Sequence, residues 1–129
     1  QSLHLPKEAL IFTGEQTPYE VAQWMQQSDC FLLFSRYETF AVVLAEAMAV
    51  GIPFISSDTA GIAVELPSNC GILVPSEDEV ALANAMVKML DNEGEIKTDE
   101  IRKQGERYTY QAVGKQLSEL YQRMIVSAN

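Results

Sequence analysis

What most limits the folds open to this chain is an alternation of short, wholly apolar runs with stretches of helical patterning. The runs are Ala9–Thr13, Cys30–Phe34, Pro53–Ser56 and Gly71–Val74. A strand with one wet face alternates polar and apolar residues, whereas a strand apolar throughout is covered on both faces. Strands of that kind joined by helices imply βαβ units. The expected fold class is therefore α/β: a Rossmann-like open parallel sheet with helices on both faces.

The intervening segments carry helix signals. Thr17 or Pro18 opens a helix that runs to about Ser28, with Val21, Trp24 and Met25 on its apolar face. Phe40–Val50 is a second helix, ended by Gly51. Ala60-Gly61 leads into a short helical turn over Ile62–Leu66. Ser76 with Glu79 three residues on reads as a capping box, and Val80, Ala83, Val87 and Leu90 recur at helical spacing behind it. Residues 98–127 read as one or two carboxy-terminal helices, broken near Tyr108-Thr109-Tyr110. Leu117, Leu120, Tyr121, Met124 and Ile125 give the last of these an apolar face, expected to pack on the sheet or on a neighbouring domain.

A chain of 129 residues that is 47% hydrophobic fits a single domain over 1–129. The net charge of −9 argues against a nucleic-acid or anionic-membrane surface, because both need a basic face. Cys30 and Cys70 each border an apolar run and are expected to be small buried hydrophobes, not a disulfide framework. His4 stands alone, so no metal site is expected. No run reaches the roughly 20 apolar residues of a membrane span. The chain starts at Gln1 without an initiator Met, and the expectation is a piece of something longer.

The segment that carries chemistry is Ser35–Pro53. From Phe40 to Val50 only Glu46 is polar. An all-apolar helix is expected to be buried, so Glu46 must face a wet cleft, a cation or a ligand, or else be the one solvent-facing position. Glu38 lies just before the helix, on the order of 12 Å from Glu46 along its axis at about 1.5 Å per residue. Between the two, the amides of Thr39, Phe40, Ala41 and Val42 open the helix at the carboxyl edge of a parallel strand, where α/β sheets bind anions. Carboxylate, phosphate cradle, carboxylate is an order that suits a nucleoside diphosphate sugar, since carboxylates accept paired hydroxyls. A helix-capping role for Glu38 fits the spacing as well.

The run Ser28-Asp29, Phe34-Ser35-Arg36-Tyr37-Glu38, Phe40, then Leu44-Ala45-Glu46-Ala47-Met48-Ala49, Gly51 and Pro53 resembles the retaining GT-B glycosyltransferases of the large family four, with their E-x7-E pattern. Ala60-Gly61-Ile62 with Glu65, and Gly71-Ile72-Leu73-Val74-Pro75, are similar too, so the likeness spans roughly residues 9 to 92. The resemblance implies the carboxy-terminal, nucleotide-sugar-binding domain of a longer enzyme of polysaccharide biosynthesis. That enzyme would move a hexosyl group from a nucleoside diphosphate sugar to a glycan or lipid-linked acceptor, with retention, no metal and no cofactor. Glu46 would take the ribose hydroxyls, and Glu38 would position the donor sugar and stabilise charge as the catalytic carboxylate. The Thr39–Val42 amides would approach sugar and diphosphate, Gly14 would lie near the base, and Arg36 would be the one cation near the phosphates.

The resemblance also implies an acceptor bound mainly by a missing amino-terminal domain, further phosphate-binding cations upstream, and a cytoplasmic protein reaching the inner face of the membrane through that domain. Ala41 departs from the family's usual Gly. In a helix the change is mild, but at φ > 0 it is barred, so altered donor preference and a weak enzyme both stay open. The competing class is a non-catalytic nucleotide-binding or scaffold α/β domain with a degenerate site.

Overall fold

The computed structural model of the protein describes residues 5–38, 42–59, 67, 69–91 and 97–127. Its sheet is parallel, in the order β1 (Phe31–Leu33), β2 (Phe54–Asp58), β3 (Gly71–Pro75). The register sets Phe31 beside Phe54 and Phe54 beside Gly71. Around it stand α1 (Pro18–Gln26), α2 (Val42–Val50), α3 (Glu79–Asp91), α4 (Thr98–Gly105) and α5 (Tyr110–Ser127). Short 3-10 turns cover Lys7–Ala9 and Glu106–Tyr108.

Neighbouring residues of β2 point to opposite faces, and each face has its own core. Phe54 packs with Leu44 and Met48 of α2, Ile101 of α4, and Cys70. Ile55 packs on the other side with Val74 and Ala85, joined by Ala81, Leu82 and Met89 of α3. Met25 of α1 closes a third cluster with Ala47 and Ile52. Both faces of the sheet are thus covered, and the expected α/β Rossmann-like fold is the fold found.

Local chemistry fixes the helix ends. Thr17 caps α1 through a full capping box: Glu20 N donates to Thr17 Oγ1 at 3.3 Å, and Thr17 N donates to Glu20 Oε2 at 2.8 Å. Hydrogen bonds from the Thr17 hydroxyl and backbone hold the Glu20 carboxyl below its ordinary range. At the other end of α2, Gly51 adopts φ 89°. Its N–H reaches Met48 O at 3.0 Å, and Ile52 N reaches Ala47 O at 3.1 Å, the bond pattern of a Schellman cap. Arg102 Nε donates to the Val50 carbonyl at 3.0 Å, so α4 finishes the cap from outside. Cys70 is fully buried and Cys30 half-buried, both thiols are free, and burial raises both pKa values.

Several expectations are corrected. Ala9–Thr13 is not a strand: Ala9 ends a 3-10 turn, and Leu10, Ile11 and Phe12 are exposed with no sheet partner. A strand exists only where its amides find a ladder, and the described sheet offers this run none. Ser76 does not cap α3; Asp78 does, its Oδ1 accepting from Ala81 N at 2.8 Å. The sheet-facing stripe of α3 is Ala81, Leu82, Ala85 and Met89. Val80, Ala83, Val87 and Leu90 face outward, Val80 at 73% exposure. The helix carries two apolar stripes, and the one with small residues lets it lie closer to the sheet. The predicted break near Tyr108–Tyr110 is present, but α5 does not pack on the sheet, because residues 113–126 are all exposed. The sheet's faces are already taken by α3 and by α2 with α4. His4 and the Ile62–Leu66 turn lie outside the described residues.

Candidate functional site

The carboxyl edge of the sheet is where β1 ends at Leu33, β2 at Asp58 and β3 at Pro75. The loop leaving β1 carries Ser35, Arg36, Tyr37 and Glu38, and α2 follows from Val42. Glu38 is half-buried in that loop. Thr39, Phe40 and Ala41 lie outside the described residues.

Of the settings that the sequence left open for Glu46, the solvent-facing one is found, and α2 is not enclosed all round. Leu44, Ala47 and Met48 are buried, whereas Val42, Glu46 and Ala49 form an exposed stripe. Being exposed, Glu46 does not need the pairing that a buried charge would require. Among the described residues it has no ion pair or side-chain hydrogen bond, so both carboxylate oxygens remain free to accept hydrogen bonds. Val42 lies one helical turn before it, about 6 Å along the axis.

Arg36 is exposed, and its Nε lies 3.0 Å from Glu77 Oε1, in the turn after β3. Beside that pair, Ser76 Oγ donates to the Ser35 carbonyl at 3.1 Å. The loops after β1 and β3 are thus tied together past the end of the intervening strand β2. At the end of that strand Ser57 Oγ, and just past it Thr59 Oγ1, are buried hydroxyls with no hydrogen-bond partner among the described residues. An unpaired buried hydroxyl is uncommon and costly.

Gly14 is not brought to this edge. Its flanking residues Thr13 and Gln16 line a cavity of about 230 Å³ with Trp24, Met25, Cys30 and Phe31, at the amino end of β1. Gly14 itself has φ 69°, with open space where a Cβ would stand. Arg36, Glu38, Val42 and Glu46 thus share the loop and helix after β1, and Gly14 stands apart.

Residues 1–92 match the model of a protein family described as glycosyl transferases group 1. The chain belongs to that family. It is 33% identical over 94 residues to an N-acetyl-alpha-D-glucosaminyl L-malate synthase of Bacillus anthracis, covering 72% of this chain and 24% of that protein. A D-inositol 3-phosphate glycosyltransferase of Corynebacterium urealyticum is 31% identical over 119 residues, covering 90% of this chain and 28% of the other. Among solved structures, a sucrose-phosphate synthase from Thermosynechococcus elongatus superposes with a TM-score of 0.80 at 27% identity, over 94% of this chain and 31% of that one. The fold is of the GT-B glycosyltransferase type. The chain spans about a quarter of the length of the two curated relatives.

Four polar residues at this edge escaped the motif-based expectations: Ser57, Thr59, Ser76 and Glu77. Ser76 and Glu77 sat inside a capping pattern that explained them locally. Ser57 and Thr59 flank Asp58 at the end of an apolar run, where no motif drew attention to them. Among the described residues no group of three His, Cys, Asp or Glu side chains is arranged to hold a metal ion. Among the same residues, no helix is long and apolar enough to cross a membrane.

Proposed function

We propose that this chain is most of the nucleotide-sugar-binding domain of a longer glycosyltransferase. The parent enzyme moves a hexosyl group from a nucleoside diphosphate sugar to a glycan or lipid-linked acceptor, with retention of anomeric configuration and without a metal. The observation that carries the reading is the placement of Glu38 and Glu46, in a chain of this family, on either side of the start of α2 at the carboxyl edge of β1. Open α/β sheets bind ligands at that edge.

In this reading the ribose hydroxyls meet the free carboxylate of Glu46, which accepts two hydrogen bonds at once. The amides of Thr39, Phe40, Ala41 and Val42 approach the sugar and diphosphate, with Arg36 supplying positive charge. Glu38 positions the donor sugar and stabilises charge developing at the reacting carbon. The acceptor and further phosphate-binding cations belong to the rest of the parent chain, as does any contact with the inner face of a membrane.

The experiment is a pair of substitutions in the full-length protein. Glu46 is exposed, so Glu46→Ala should leave the melting temperature almost unchanged. Hydrogen bonds to a charged group are worth about 1.5–3 kcal/mol, so nucleotide affinity should fall roughly ten- to a hundredfold. Glu38→Ala should lower turnover more than affinity. Unchanged nucleotide affinity in Glu46→Ala removes the ribose assignment. That result would favour the scaffold reading, in which the fold persists and the site is degenerate.

A further inference from the structure

The turn between β3 and α3 does not do what its sequence pattern advertises. With Asp78 capping α3, the two residues before it are released for other work. Both are engaged on the loop after β1. Ser76 Oγ donates to the Ser35 carbonyl across a separation of 41 residues, in a part-buried position. Glu77 Oε1 meets Arg36 Nε at 3.0 Å. Glu77 also has φ 63°, and among the described residues no other non-glycine has a positive φ. A glutamate rarely adopts that conformation, and it persists where the surroundings over-determine it.

Two adjacent residues therefore grip two adjacent residues on the far side of β2. A two-point grip fixes the direction of a loop as well as its distance. The loop held this way continues directly to Glu38. Among the described residues these are its polar ties to the rest of the fold. The ion pair uses Nε of Arg36, and a guanidinium has five N–H donors, so an anion can still be met by the terminal nitrogens.

We propose that Ser76 and Glu77 are positioning residues for the donor site: they hold the Ser35–Glu38 loop so that Arg36 and Glu38 meet the diphosphate and the donor sugar. The proposal rests on the donor-site reading above. Neither residue touches the substrate, and each acts through the loop it holds. Glu77→Gly keeps the left-handed turn, because glycine adopts φ > 0 freely, and removes the side chain with its carboxylate. Ser76→Ala deletes only the hydroxyl.

The test uses the full-length protein with steady-state kinetics on the nucleotide-sugar donor, alongside melting temperatures. An exposed ion pair is worth little, so Glu77→Gly should raise the donor KM about two- to fivefold with the melting temperature nearly constant. The double variant Ser76→Ala/Glu77→Gly should raise KM further and lower kcat, because Glu38 is then no longer held. The gap between wild type and Glu77→Gly should narrow at about 1 M salt, where the wild-type pair is itself screened. A purely structural role would show the same salt dependence in the melting temperature, whereas a positioning role shows it in KM at constant melting temperature. The proposal is overturned if the double variant matches wild type in KM and kcat, or if every loss tracks a fall in melting temperature. Glu38→Ala and Glu46→Ala run beside them. If those two lose activity while the Ser76 and Glu77 variants do not, the grip is irrelevant and the donor site stands. If all four behave like wild type, the donor-site reading falls together with the proposal.

Discussion

Helices α2 and α5 both carry apolar faces, yet they end in opposite circumstances. Over its nine residues α2 buries Leu44, Ala47 and Met48, and is seated on β2, backed by α1 and clamped by α4. Over its eighteen residues α5 has Leu117, Leu120 and Tyr121 at 45–60% exposure. Hydrophobic content says that a face needs cover, and only topology says whether the cover is at hand. The apolar run Leu10–Phe12 makes the same point, with Phe12 at 92% exposure. In this molecule the α2–β2–α4 unit closes a core of its own, while the apolar surfaces of α5 and of Leu10–Phe12 stand exposed.

The sharpest way to break that contrast is to attack the seat of α2. Phe54 is 1% exposed and touches α2 and α4 at once. Phe54→Ala should cost about 3–5 kcal/mol, the usual range for emptying an aromatic core site. Denaturant unfolding with an unchanged m-value would measure it. A loss below about 1 kcal/mol would mean that this half is loosely packed, and the contrast with α5 would vanish. Gly51→Ala is the next largest. Its new Cβ would stand 2.6 Å from Thr98 Cγ2 and 2.9 Å from Arg102 Cγ, on a backbone at φ 89°. A cost of about 1–3 kcal/mol is expected from the conformation alone, with the clash added. A neutral result would show that α4 does not clamp the end of α2.

Much of this was legible in advance. The parallel sheet followed from wholly apolar runs, and the start of α1 from Thr17 and Pro18. The end of α2 followed from Gly51. The misses share a cause: local patterns that fit two physical situations. Ser76 with Glu79 satisfies the capping-box spacing, but Asp78 is the better-placed acceptor and takes the role. On α3 both stripes are apolar, and the close approach that Ala81 and Ala85 permit decided between them. Leu10–Phe12 has strand composition without a neighbour.

Within the candidate site Arg36, Glu38 and Glu46 lie in the loop and helix after β1, and of the settings left open for Glu46 the solvent-facing one is found. An exposed stripe on one side of α2 removes the burial penalty, so the role proposed for Glu46 rests on the E-x7-E resemblance and not on burial. The tie from Ser76 and Glu77 could not be read locally at all. It links positions 41 residues apart, and a sequence-local pattern has no access to such a contact.

The smallest effect is the most informative about α5. Leu117 and Leu120 lie on the exposed apolar face at 47% and 45% exposure. In residues 1–129 alone, Leu117→Ser/Leu120→Ser should change unfolding free energy by no more than about 0.5 kcal/mol, because little apolar surface is buried there to lose. In the full-length protein the same pair should cost more, on the order of 1–3 kcal/mol per side chain if the face is then covered. Equal and negligible costs in both would leave α5 without a partner. A large cost already in residues 1–129 would place the face in a core and erase its difference from α2. The contrast between the two helices therefore rests on one comparison of the same substitutions in the short and the long chain.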